Sequence, residues 1–148
     1  MAVLIENRQK KLNVPLSRIQ KKAQFSLNAL GCPDGELSIL IVDDPQIAAL
    51  NQKHLKRQGP TNVLAFPMKT DQFSGIIPLM LGDVVISVET AQRESKTAGI
   101  HLEERLDQLL VHGILHLFDY DHEQGEEKAL DMEEKNNELL TLIKDKSF

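Results

Sequence analysis

A single cysteine, Cys32, stands in 148 residues. That excludes an internal disulfide and any cysteine-rich zinc module, and it points to a reducing, intracellular location. A bound metal would have to lean on histidine and carboxylate instead. Long apolar runs are missing too. None approaches the roughly 20 residues that a membrane-crossing helix needs. The opening stretch Met1-Ala2-Val3-Leu4-Ile5-Glu6 is apolar but short, lacks a basic leader, and reads as a strand rather than a signal peptide. There is no internal repeat, low-complexity tract or linker. With 41% apolar and 26% charged residues, the composition is that of an ordinary soluble globular chain, expected as one domain over 1–148.

The net charge of −5 conceals an asymmetry. Residues 1–70 hold ten Lys/Arg against five Asp/Glu, whereas residues 71–148 hold seven against seventeen. The basic half includes Lys10-Lys11, Arg18, Lys21-Lys22 and the cluster Lys53-His54-Leu55-Lys56-Arg57. Charge alone reads these as solvated helix faces, but a face of this kind can also serve a phosphate-bearing partner.

Apolar periodicity and the Gly/Pro punctuation divide the chain. Strands are expected at 2–6, Glu36 to Val42, Thr61 to Pro67 and Met80 to Ser87. The near-continuous apolar run Leu-Ser-Ile-Leu-Ile-Val predicts a strand buried on both faces. Gly82 inside the fourth strand predicts a bulge or a close backbone approach. Helices are expected from Asn13-Val14-Pro15 to Gly31, from an Asp43-Asp44-Pro45 cap to Lys56, from Val88 to Thr97, from Leu102 to Phe118 and from Glu126 to Lys144. The order βαβαββααα fits one small mixed sheet flanked by about five helices, an α+β fold in layers.

Three of the five histidines fall between His112 and His122. His112 and His116 are four apart, which on a helix puts both imidazoles on one face, within reach of one metal ion. His122 follows past the expected helix end and can return on a turn as a third ligand. Three protein ligands leave one position open, the arrangement of a catalytic rather than a structural zinc. Asp119 and Asp121 can orient an imidazole through its second nitrogen or serve as turn residues. Glu123, Asp121 and Asp83 are the carboxylates available for proton transfer, and spacing selects none of them as general acid or base. His54 and His101 read as surface or core-satisfied residues. Zinc peptidases of the H-E-x-x-H type carry a Glu beside the first histidine as base. Here that slot is Gly113, which turns the site away from peptide hydrolysis and is expensive inside a helix, by roughly 1 kcal/mol.

His112-Gly113-Ile114-Leu115-His116-Leu117-Phe118-Asp119-Tyr120-Asp121-His122 resembles H-G-x-L-H-L-x-G-Y-D-H, the signature of the YbeY family of ribosomal-RNA maturation factors. Pro60-Thr61-Asn62-Val63-Leu64-Ala65-Phe66-Pro67 is similar to that family's P-T-[DN]-V-L-S-F-P. Leu81-Gly82-Asp83-Val84-Val85-Ile86-Ser87 is similar to its L-G-D-[IV]-x-I-[SC], and Leu50-Asn51 to the L-N of its helix. The likeness runs over about residues 36–140. It implies a zincin-like, metalloprotease-related fold and a cytoplasmic, zinc-dependent endoribonuclease specific for single strands, acting in small-subunit RNA maturation and ribosome quality control. One Zn²⁺ per chain would be held by His112, His116 and His122, with metal-bound water as nucleophile, and Asp121 and Asp83 would lie behind the ligands. Lys53, Lys56 and Arg57 would hold the RNA backbone. The partners implied are single-stranded ribosomal RNA and small-subunit proteins, with no DNA and no membrane. Three positions depart from the pattern: Asp119 replaces a Gly, Ala65 replaces a Ser, and Leu55 occupies the place of an Arg thought to handle phosphate. The rival readings are a zinc metallopeptidase-like hydrolase and a non-catalytic, metal-containing ribosome assembly factor.

Overall fold

The computed structural model describes residues 3–68, 80–118, 125–146 and 148. Four strands, β1 (Val3–Asn7), β2 (Glu36–Val42), β3 (Val63–Pro67) and β4 (Met80–Ser87), form one sheet in the order β1-β2-β4-β3. The first two neighbour pairs are parallel and β3 runs antiparallel to β4. The helices are α1 (Leu16–Ala29), α2 (Asp44–Leu55), α3 (Val88–Ala98), α4 (Leu102–Leu117) and α5 (Glu126–Asp145). The expected element order and the mixed sheet are therefore found, with boundaries differing by a residue or two.

The caps follow the sequence. Asp43 accepts a hydrogen bond from the Gln46 amide to start α2, with Pro45 in the first turn. Ser87 does the same for α3 through Thr90. β2 is sandwiched as its apolar run predicts. Leu37, Ile39 and Ile41 face the main core with α1, α3 and α4, while Val42 and Leu40 face Ile47 and Leu50 of α2 on the other side. The layers are thus α2, then the sheet, then α1, α3 and α4, with α5 outermost on Val111 and Leu115 of α4.

Gly82 marks the bulge that its position suggested. The register between β2 and β4 slips between Glu36 and Leu37, skipping Leu81. Gly82 has φ +137, and a Cβ there would collide with the carbonyl oxygen of Phe66.

The basic first half is not simply a set of solvated faces. Lys22 is 4% exposed and its ammonium lies 2.7 Å from Glu103 and 2.8 Å from Asp107 of α4. Arg18 also pairs with Glu103, and Lys11 with Glu89. Among the described residues, three cations of the basic half thus pair with carboxylates of the acidic half.

Candidate metal centre

α4 is the element on which the site is built. Its apolar residues Leu106, Leu109, Leu110, Ile114 and Leu117 face the sheet, and Val111 and Leu115 face α5. Burial on two sides fixes the rotation of the helix about its axis. That rotation leaves His112 and His116 half-buried along the remaining stripe. Their Nε2 atoms are 3.0 Å apart, with ring centroids at 4.5 Å and planes at 80°. Two imidazole nitrogens this close either share a proton or converge on one ion, since both can reach a common centre at about 2.0–2.1 Å. His116 lies in the last turn of α4, where the negative end of the helix dipole favours a cation. Donor type, separation and local field all fit a divalent metal such as zinc.

Gly113 explains how the pair comes to sit so near the sheet. A Cβ at this position would lie 2.7 Å from Cγ1 and 3.2 Å from Cγ2 of Val84, and 3.3 Å from Cγ2 of Val63. The close neighbours are a pair of β-branched side chains, so tight packing offsets the helical cost of the glycine. The same contact leaves no room for a glutamate beside His112.

The remaining candidates distribute unevenly. His122, Asp121, Asp119 and Glu123 lie outside the described residues, and no third ligand joins His112 and His116 among those described. Asp83 is not brought to the histidines. It pairs directly with Phe66 across the β3–β4 ladder, and Phe66 packs with the α2-side cluster and lies against His54, ring centroids 5.0 Å apart. Directly opposed residues share a face, so Asp83 belongs to the face away from α4. This alternation sets Asp83 apart from His112 and His116, while its relation to His122 lies outside the described residues. Lys53, Lys56 and Arg57 are exposed around the C-terminal end of α2, as is Leu55 at 42%. They flank the connection that leads to Asn62 and β3. His54 and His101 are exposed, as expected of surface residues.

One group of residues escaped the sequence reading. A cleft of about 310 Å³ beside His112 is lined by Asn62, Arg105, Gln108, Asn136 and Asn137, among others. A signal did exist: two adjacent Asn within α5 are poor helix formers, and such residues usually have another use.

Fold and site together define a class: an α+β domain whose central helix offers a histidine pair to a metal, with a glycine packed against the sheet where peptidases carry their base. The family model of endoribonuclease YbeY matches residues 4–144. The chain is 46% identical over 142 residues to the endoribonuclease YbeY of Syntrophotalea carbinolica, covering 95% of each chain. It is 44% identical over 144 residues to that of Geobacter metallireducens, covering 97% of this chain and 96% of the relative. It is 45% identical over 134 residues to that of Aquifex aeolicus, covering 90% and 87%. The solution structure of TM1509 from Thermotoga maritima superposes with a TM-score of 0.68 over 95% of this chain and 88% of the other, at 23% identity, a likeness of fold. The chain belongs to the endoribonuclease YbeY family.

Proposed function

We propose that this chain is a zinc-dependent endoribonuclease that cuts single-stranded RNA in the maturation and quality control of ribosomal RNA. The observation that carries the reading is the 3.0 Å approach of His112 and His116 on a helix held to the sheet by Gly113. The names of the relatives, endoribonucleases over nearly their whole lengths, support the reaction class. In this account His112 and His116 hold the ion, and His122 supplies the third ligand from beyond the helix. A divalent ion bound by such ligands supplies Lewis acidity towards a phosphodiester oxygen and acidifies water. The protein's share is positioning. α4 fixes two imidazoles through its buried faces, and Lys53, Lys56 and Arg57 hold the RNA backbone by charge. The working partners are single-stranded ribosomal RNA and proteins of the small ribosomal subunit, in the cytoplasm.

A peptidase reading is disfavoured by Val84, which occupies the space a base at position 113 would need. A second reading draws on Leu55, exposed where the resemblance calls for Arg: a metal-containing assembly factor without nuclease activity. Purified protein offered single-stranded RNA, duplex RNA and casein separates these. The proposal expects cleavage of the first alone. Binding without cleavage, rescued by Leu55→Arg, favours the second reading, and casein hydrolysis contradicts both.

A further inference from the structure

The cleft beside His112 has an unusual chemistry for a nuclease. Its cation is already spent: the Arg105 guanidinium lies 3.0 Å from Glu94 Oε1 and donates to Gln108 Oε1 at 2.7 Å. The Asn62 amide also donates to both Glu94 oxygens at 3.3 Å. A wall whose charge is neutralised in this way has little attraction for phosphate. Apart from the His112 imidazole at its edge, what remains is amide and apolar surface, the latter from Val63, Leu109 and Leu140. Asn136 Oδ1 is buried and has no hydrogen-bond donor among the described residues. A buried acceptor without a donor is expensive, and a turn of the amide that brings Oδ1 to the cleft surface lets a ligand supply one. The volume, about 310 Å³, is at the small end of ligand clefts.

A neutral, flat group with N–H donors on its edge meets these conditions. We infer that this cleft seats one nucleobase of the RNA and reads its edge through Asn136, so that the enzyme has a base preference beside the cut. The inference rests on the nuclease reading. Its position follows from His112, which lines the cleft and belongs to the histidine pair, so the seated base is a near neighbour of the reacting phosphate. Val63 and Leu140 offer the base apolar surface, while Arg105 and Asn62, locked to Glu94, act as rigid walls. An amide offers a base edge one acceptor and one donor. A carboxylate offers acceptors only, and so suits guanine, whose N1–H and N2–H donors are adjacent.

The test compares wild type with Asn136→Asp and Asn136→Leu, after circular dichroism and thermal melts establish that the variants fold. Nucleoside monophosphates and ribose 5-phosphate are titrated with NMR detection, and cut positions are mapped on a mixed-sequence single-stranded RNA. The expected result is binding of at least one base-bearing nucleotide about tenfold tighter than ribose 5-phosphate. Asn136→Leu should lose that advantage, and Asn136→Asp should move both binding and cut positions towards guanine. Equal binding of nucleotide and ribose 5-phosphate, or an unchanged base order in Asn136→Asp, overturns the inference while leaving the nuclease reading intact. Base-dependent binding that shifts with Asn136→Asp supports the cleft even where no RNA is cut, in which case the nuclease reading is the part that fails.

Discussion

Gly113 and Val84 touch so closely that the glycine's missing Cβ would fall 2.7 Å from Val84 Cγ1. Both residues are buried, and Val84 is fully so. Its branched side chain is stiff about χ1 and has nowhere to turn. The helix that carries the histidine pair is thus set at its distance from the sheet by one absent methyl group.

Gly113→Ala therefore sets two effects against each other. Alanine favours the helix by roughly 0.8–1 kcal/mol, whereas overpacking a tight core costs about 1–3 kcal/mol. Packing wins because Val84 cannot give way, for a net loss of up to about 2 kcal/mol. Adding Val84→Ala should recover part of the loss, because it removes the methyls that collide. Chemical denaturation of the two single variants and the double variant checks this, and additive losses would show that the contact is not the cause.

Lys22 anchors α1 to α4 through Glu103 and Asp107. Burial pushes the Asp107 carboxyl above its ordinary value of 3.8, and the hydrogen bond from Lys22 restrains that rise. An acid with a raised folded pKa binds its proton more tightly when folded. Its contribution to stability is full below 3.8 and is lost as pH rises through the folded value. Lys22→Met removes the restraint and strands a buried carboxylate, at about 3–5 kcal/mol near neutral pH. At pH 4 the deficit should shrink, as Asp107 takes up a proton. Urea midpoints at the two pH values provide the comparison; an equal deficit at both would contradict it.

Asp44 behaves in the opposite sense. Burial pushes its carboxyl up, but hydrogen bonds from Ser87, Thr90 and Arg93 outweigh that and hold it below 3.8. The Ser87 and Thr90 hydroxyls each donate at 2.6 Å. Stability from this group is present above 3.8 and is lost as pH falls through the folded value. Asp44→Asn should lower stability by about 1–3 kcal/mol at pH 7 and flatten the acid limb of the melting-temperature profile. An unchanged acid limb would assign acid unfolding to other carboxylates.

Lys56 is the one non-glycine in the left-handed region among the described residues, with φ 57 at the end of α2. Its place in the sequence therefore gains nothing from backbone preference. Replacing Lys56 and Arg57 with Ala should reduce the magnitude of the salt slope of single-stranded RNA binding by about 1.4, or 0.7 per phosphate contact. Lys56→Gly should lose half of that while stabilising the fold. Filter binding from 50 to 200 mM salt measures both; an unaltered slope would send the RNA by another path.

Much of this was legible in the chain. Asp43 announces a helix start, the β2 run announces burial on two faces, and the glycine in Leu81-Gly82-Asp83 announces the bulge, because each depends on near neighbours in sequence. His112 and His116 were legible for the same reason, being one helical turn apart. The face that Asp83 occupies was not legible, because it depends on which side of the sheet α4 covers, and that is set by strand order. Lys22 looked solvated until Glu103 and Asp107, some 80 residues further on, came to meet it. The cleft joins Asn62, Arg105 and Asn136 from three separate parts of the chain, and no local pattern brings them together.

The most direct measurement is cleavage of an end-labelled single-stranded RNA by the purified protein before chelation, after removal of metal, and after zinc is restored, with His116→Ala in parallel. The account predicts cleavage that disappears with the metal and returns with zinc, and a His116→Ala protein that holds far less than one zinc per chain and does not cut. Cleavage that survives chelation, or a His116→Ala protein that keeps both its zinc and its activity, would contradict it.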